Sequence, residues 1–214
     1  KFSEKITSGK KLFQFGKFSL DFKIFLAVAA LFGLANYSYS FYILKAEEVG
    51  FLIIFIPLIY LIYNIFYALS SYPAGQLSDK IGRAPVLIGA FILFAALNLA
   101  FAFKANLLSI WFLFALYGLF IGLTDGVFKA FVSDLAARES RGEAFGIYHT
   151  VIGFSTLIGN LGAGLIWQKF GSAWPFVISA ILIFLAGLII LAKFFNHQGT
   201  RSNYDITQFK GYRG

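Results

Sequence analysis

Ten acidic and eighteen basic residues are spread over 214 positions, so any charge inside an apolar run is a candidate for chemistry. Asp125 and Lys129 stand four apart in GLFIGLTDGVFKAFVSDLA. On a helix they share a face and can neutralise one another. A charge at mid-bilayer costs roughly 2.5–3.5 kcal/mol on the insertion scale. Three readings stay open for the pair: a structural or gating ion pair, a substrate or proton-coupling site, or an interfacial pair that snorkels to water. The rise from Leu108 to Asp125 is about 25 Å, which places Asp125 in the last third of a crossing rather than at its centre.

Other polar side chains interrupt apolar runs. Asn36, Tyr39 and Ser40 lie at i, i+3 and i+4 in NYSYSFY, so an unbroken helix presents them on one face that can line a cavity. Interhelical hydrogen bonding is the alternative, and Tyr42 reads best as part of an interfacial aromatic belt. Asn64 and Asn160 are further lining candidates, with interhelical bonds explaining them almost as well. His149 can titrate near neutral pH, or serve as a hydrogen-bonded packing residue. Gly153, Gly159, Gly162 and Gly164 suit close helix approach. No metal cluster, nucleophile triad or phosphate-binding glycine loop is visible, so no cofactor and no enzymatic chemistry are expected.

A second polar cluster is YPAGQLSDKIGRAPVL, Tyr72–Leu87. Gly75 and Gly82 permit close backbone approach and positive φ. Pro85 suits the first turn of a following helix. Asp79 can accept N–H groups at the start of a neighbouring helix near Gly142, where the dipole favours an anion. Arg83 can pair with Asp134 or Glu139. These contacts would latch helix ends together on one side; a tight turn with incidental charge is the alternative.

The elements that carry these residues follow from hydropathy. The chain is 59% hydrophobic and 20% aromatic, with mean hydropathy +0.77 and only 13% charged residues, about half the usual charged share. Membrane spans of about 20 apolar residues are the natural reading. Six are predicted, at roughly 23–44, 51–73, 85–103, 108–134, 142–167 and 173–195. Residues 1–22 are basic and aromatic and suit either an anionic membrane surface or a solvated linker. Residues 196–214 lack an apolar period and read as a flexible tail. The net charge of +8 does not indicate nucleic acid, because the basic residues sit between apolar runs. Cys is absent, so thiol and disulfide chemistry are unavailable. Met is absent too; the chain reads as an internal piece of a longer protein, or as one whose modified methionines are unwritten.

Fourteen Lys and Arg fall on one side of the six spans and three (Lys45, Lys104, Lys169) on the other, with Lys129 inside a span. That bias predicts both termini in the cytoplasm, in a bacterial-type inner or plasma membrane. An internal echo sets AGQLSDKIGRA (Ala74–Ala84) 89 residues before AGLIWQKFGSA (Ala163–Ala173). Each follows the second helix of a triplet, which predicts an all-α membrane fold of two inverted three-helix repeats. In the second copy Gln168 and Ser172 replace Asp79 and Arg83, so the charged latch is expected on one side only.

Gly75-x-Leu77-Ser78-Asp79-Lys80-x-Gly82-Arg83 resembles the cytoplasmic signature loop of the major facilitator superfamily, and it stands between a second and third helix as that loop does. Ala84 departs from the second basic residue usual there. The six-helix plan and Arg141-Gly142 extend the resemblance over about 23–195. The resemblance implies one six-helix half, with the basic lead-in favouring the C-terminal half. It implies a secondary transporter moving a small solute by alternating access, against a complementary half in the same polypeptide or a second chain. The latch residues implied are Gly75, Leu77, Asp79, Lys80, Gly82, Arg83, Asp134 and Arg141. Spans one, two, four and five would face the cavity. The rival readings are a non-transporting membrane scaffold or sensor, and a homodimeric six-helix transporter.

Overall fold

The computed structural model describes residues 18–210, with side chains described through Lys193. The helices are α1 (Leu20–Ala35), α2 (Tyr39–Glu48), α3 (Ile56–Ile81), α4 (Arg83–Phe103), α5 (Leu107–Leu135), α6 (Arg141–Phe170) and α7 (Ala173–Lys210). They supply six segments long and apolar enough to cross a membrane: Leu20–Glu48, Ile53–Ile81, Arg83–Phe103, Leu107–Leu135, Arg138–Phe170 and Ala173–Lys193. Connections are short, so successive spans run antiparallel. A single residue, Gly82, separates α3 from α4. Asn106 begins α5 with a capping box, accepting from the Ser109 amide at 2.9 Å while its own amide donates to Ser109 Oγ at 2.8 Å. Each such bond satisfies a backbone group that a helix start leaves open.

The packing has an internal symmetry. The most extensive helix contacts are α3 with α5, α4 with α7, α1 with α6, α1 with α7 and α4 with α5. Exchanging spans 1–3 for spans 4–6 turns α3·α5 into α6·α1 and α1·α7 into α5·α4, and leaves α4·α7 unchanged. Glycines follow the same exchange. Gly33 and Gly122 are 89 residues apart, and each sits where a crossing helix leaves no room for a Cβ. A Cβ on Gly33 would meet Ser155 Cβ at 2.8 Å, and one on Gly122 would meet the Tyr67 carbonyl at 2.8 Å. Gly82 and Gly171, also 89 apart, end α3 and α6 with φ/ψ of 94°/160° and 95°/168°. That region of backbone space is essentially reserved for glycine. The sequence echo is therefore one turn built twice, in the inverted triplet plan.

An aromatic core lies between spans 1, 3, 4 and 6. Phe94 and Phe120 stack at 3.9 Å and 4°, and Phe32 packs on Phe128 at 4.6 Å. Spans 2 and 5 lie outside it: 11% of their most apolar stretch is buried, against 39–50% in the other four. Symmetry-equivalent helices thus present the open faces.

Three elements differ from their predicted form. The first span is not one helix: Asn36–Ser38 is non-helical. Ser and Asn side chains compete with the backbone for its hydrogen bonds, and here Ser38 Oγ caps α2 by accepting from the Ser40 amide at 3.3 Å. The freed groups find partners elsewhere. The Ser38 amide donates to Asn160 Oδ1 at 2.8 Å, and Ser179 Oγ donates to the Ala35 carbonyl at 2.7 Å. Such replacements make a break tolerable at membrane depth. Second, α3 continues past the predicted end at 73, through Pro73, to Ile81, so the polar cluster is mostly helix with its turn confined to Gly82. Third, α7 stays helical to Lys210, beyond the boundary at 195. Residues 1–17 and 211–214, which hold most of the predicted lead-in and the end of the predicted tail, lie outside the described residues.

Candidate functional site

The turn at Gly82 places Arg83 at the first position of α4, facing back to α3 and across to α5. Its Nη1 donates to Asp79 Oδ1 at 2.5 Å and Ser78 Oγ at 2.6 Å; its Nε donates to Asp134 Oδ2 at 3.0 Å. One planar guanidinium fork, 20% exposed, therefore joins the ends of three helices, a geometry a lysine ammonium cannot reproduce. Ser78 is buried and donates to the Gly75 carbonyl at 2.8 Å, which aims its lone pairs at Arg83. Of the two partners proposed for Arg83, Asp134 is the one engaged.

Other expected latch residues stand apart. Asp79 does not cap α6: the i, i+4 spacing folds its carboxylate back onto Arg83. Arg141 is exposed at the start of α6, and among the described residues no ion pair links it to Asp79 or Asp134. Gly75 is helical with open space where a Cβ would stand, so close approach within this chain is not its reason. Leu77 and Lys80 are exposed on the same helix.

Deeper in the bundle, Lys129 Nζ pairs with Asp125 Oδ1 at 2.8 Å, as the spacing requires. Tyr67 OH donates to Asp125 Oδ2 at 3.4 Å. From there a run of tyrosines climbs α3: Tyr67 to Tyr63 at 6.4 Å between ring centroids, and Tyr63 to Tyr60 at 5.9 Å. Tyr39 joins at 5.5 Å from both Tyr60 and Tyr63. The break at 36–38 means Asn36, Tyr39 and Ser40 do not share one helical face as expected. Asn36 Oδ1 and Tyr39 OH are nevertheless both buried with no hydrogen-bond partner among the described residues. An unsatisfied buried polar group costs about 1–3 kcal/mol.

The remaining candidates divide by what they touch. Asn160 bridges α6 to the break through Ser38 and also donates to the Thr156 carbonyl at 2.7 Å. Asn64 donates to the Tyr60 carbonyl one turn back at 2.7 Å. His149 is exposed on α6, with ring contacts to Phe145 and Tyr148. Tyr42 does not sit at an interfacial belt. It is fully buried, stacked on Tyr117 at 4.6 Å, and its hydroxyl donates to buried Asn98 at 3.2 Å. The hydroxyl finds a partner on α4, so the ring can occupy the core.

The turn at Gly171 was expected to lack the charged latch, and Gln168 and Ser172 stand there in place of Asp79 and Arg83. The charge arrives from the first span. Lys45 Nζ, on α2, donates to Ser172 Oγ at 2.8 Å and Glu48 Oε1 at 3.1 Å, and Ser172 Oγ donates to Glu48 Oε1 at 2.7 Å. Only the tertiary fold brings residues 45 and 172 together. Asp21 and Lys193 form a further ion pair at 2.6 Å between α1 and α7, again from positions far apart in the chain.

Six apolar crossings with triplet symmetry, helix ends joined by charged bridges and a charged pair within a span define a polytopic membrane protein. Residues 24–208 match the profile of the Major Facilitator Superfamily, and the chain belongs to that family. It is 41% identical over 177 residues to an uncharacterized MFS-type transporter of Methanocaldococcus jannaschii, a match covering 80% of this chain and 44% of that protein. It is 31% identical to a multi-drug resistance efflux pump of Streptococcus pneumoniae, over 55% of this chain and 29% of the pump. It is 27% identical to the class C tetracycline resistance protein of Escherichia coli, over 69% of this chain and 37% of that protein. The chain thus spans less than half the length of these relatives in each match.

Proposed function

We propose that the chain is one six-helix half, the C-terminal one, of a secondary active transporter that moves a small organic solute by alternating access. The observation that carries this reading is the Arg83 bridge. One guanidinium holds the ends of α3, α4 and α5 together. That end of the bundle is the cytoplasmic one, supported by Lys23, Lys80, Arg138, Arg141 and Lys193 clustering there. Both chain ends of the six-span bundle then face the cytoplasm. The Arg83 network acts as a latch that breaks and re-forms during the cycle. The tyrosine run ending at Asp125–Lys129, with the unpartnered atoms of Asn36 and Tyr39, supplies aromatic faces and a few polar groups for the solute. Two relatives carry drug-efflux or drug-resistance names, which supports an organic solute. The open faces of spans 2 and 5 meet the complementary half.

The test is flux of tetracycline and of a cationic dye in liposomes holding the full-length protein. Asp125→Asn and Arg83→Gln should each cut flux at least tenfold while the protein stays monodisperse. Unchanged flux in both variants would point to a scaffold or sensor instead. Flux from residues 1–214 alone, made with an initiator Met, would establish a homodimeric transporter.

A further inference from the structure

The inverted repeat matches residues 89 apart, and one matched region is filled in one copy and hollow in the other. Tyr42, Phe101, Phe114 and Tyr117 are all buried and close the core at the Lys104 end of the bundle. Between ring centroids, Tyr42 lies 4.6 Å from Tyr117 and 4.9 Å from Phe101, and Phe101 lies 5.7 Å from Phe114. Their counterparts at the Arg83 end are Phe131, Ile190, Phe25 and Val28, in that order. Two rings are kept there, Phe25 against Phe131 at 4.9 Å. Val28 and Ile190 stand where the other copy has Tyr117 and Phe101, and a cavity of about 240 Å³ opens between α1, α4, α5 and α7.

The polar groups differ as well. Asp21 and Lys193 line the cavity and pair at 2.6 Å between α1 and α7. Their side chains are 41% and 37% exposed, so water reaches the pair. The counterpart of Lys193 is Lys104, but that of Asp21 is Ile110, which is buried. Void and carboxylate thus depart from the repeat at the same place. Lost rings alone would be a packing defect. An apolar chamber with one acid and one base on its wall has the makeup of a small-molecule site.

Size and charge narrow the occupant. A dry cavity of about 150 Å³ takes benzene, so this one has room for an aromatic ring with a short arm. Asp21 and Lys193 neutralise one another. An incoming anion would take Lys193 and strand the Asp21 carboxylate, and a cation would strand the Lys193 ammonium. Uncompensated charge beside an apolar chamber is unfavourable. A zwitterion replaces both contacts at once, and a half-exposed ion pair is weak enough to exchange.

We propose that the cavity binds a free aromatic α-amino acid of the size of phenylalanine. The ring takes the space that Tyr117 and Phe101 fill in the other copy, the ammonium meets Asp21 and the carboxylate meets Lys193. Asp125 and Lys129 are not among the lining residues. The site is therefore separate from the pair assigned to the transported solute, and it holds whether or not the chain transports.

Equilibrium dialysis of radiolabelled L-phenylalanine against the full-length protein in lipid nanodiscs tests it, with empty nanodiscs as the blank. Binding should saturate. Unlabelled 3-phenylpropionate and 2-phenylethylamine, each missing one charge, should compete about tenfold less well than L-phenylalanine or worse. Val28→Phe and Ile190→Phe restore a ring from the protein side, and each should weaken binding about tenfold or more with thermal stability kept or raised. Asp21→Asn should weaken L-phenylalanine and raise 3-phenylpropionate to match it, because Lys193 is then free for an anion. Lys193→Gln should favour 2-phenylethylamine in the same way. No saturable binding, or wild-type competition by 3-phenylpropionate equal to that of L-phenylalanine, overturns the proposal. So does equal competition by lysophosphatidylethanolamine, which would make the occupant a lipid. Binding that survives both ring-restoring variants, or that Asp125→Asn removes as fully as Val28→Phe does, places the amino acid elsewhere and also overturns it. If neither ring-restoring variant folds, the exchange of preference in Asp21→Asn and Lys193→Gln decides, and its absence removes the site.

Discussion

The turn at Gly82 and the turn at Gly171 share a backbone and differ in the polar bridge built around it. Both glycines hold φ near 95° with an extended ψ, where any Cβ is strained. Around Gly82 the charges are local: Asp79 and Arg83 lie within one helical turn of it, and only Asp134 comes from elsewhere. Around Gly171 the bridging charges are remote, brought by Lys45 and Glu48 from a segment more than 120 residues away. The comparison teaches that geometry was repeated and chemistry was reassigned. An inverted repeat keeps which helix meets which, and leaves free which partner carries the charge.

The hardest blow to that comparison comes from the close crossings. Gly122→Val would push into the α3 backbone and Gly33→Val into α6. Each should cost about 1–3 kcal/mol or more and lower the yield of monodisperse protein severalfold. A silent Gly33→Val beside a ruinous Gly122→Val would break the equivalence of the two crossings. Next come the turns. Gly82→Ala and Gly171→Ala should each lower thermal stability by an amount consistent with about 1–3 kcal/mol of backbone strain. Near-equal losses would show that the turn has the same structural worth at both ends.

Asp134→Asn sharpens the chemical side. Its carboxylate is half exposed, and exposed ion pairs contribute about 0–1 kcal/mol, so thermal unfolding should barely move while flux falls severalfold. A large stability loss would make the bridge a staple and count against the latch. The smallest expected effect is Gly75→Ala. Its Cβ would enter open space within this chain, so stability of residues 1–214 should change by less than about 0.5 kcal/mol. A drop in the full-length protein alone, read by the same thermal unfolding, would place the complementary half against Gly75.

Much of the plan was legible without coordinates. Apolar runs of about twenty residues separated by glycine, proline and charge mark the spans, because a bilayer has one thickness. The Asp125–Lys129 pair followed from helical spacing, and Asp134 was one of two partners that the shared side offered Arg83. What was hidden follows from two physical causes. NYSYSFY fits a helix and a break equally well by composition, and the break persists because Asn160 and Ser179 take up the freed backbone groups. Tyr42 carries the same amphipathic signal at a membrane interface or in a core, and Asn98 decides for the core.

By itself the sequence determined the number of crossings, their inverted triplet arrangement and the local charges at Gly82, since these depend on hydropathy and on neighbours within a few residues. The tertiary structure alone decided that the first span is split, that Tyr42 is internal and that the turn at Gly171 is bridged. Each depends on a hydrogen-bond partner more than 50 residues away in the chain, and the worth of a buried polar group is set by the partner it finds.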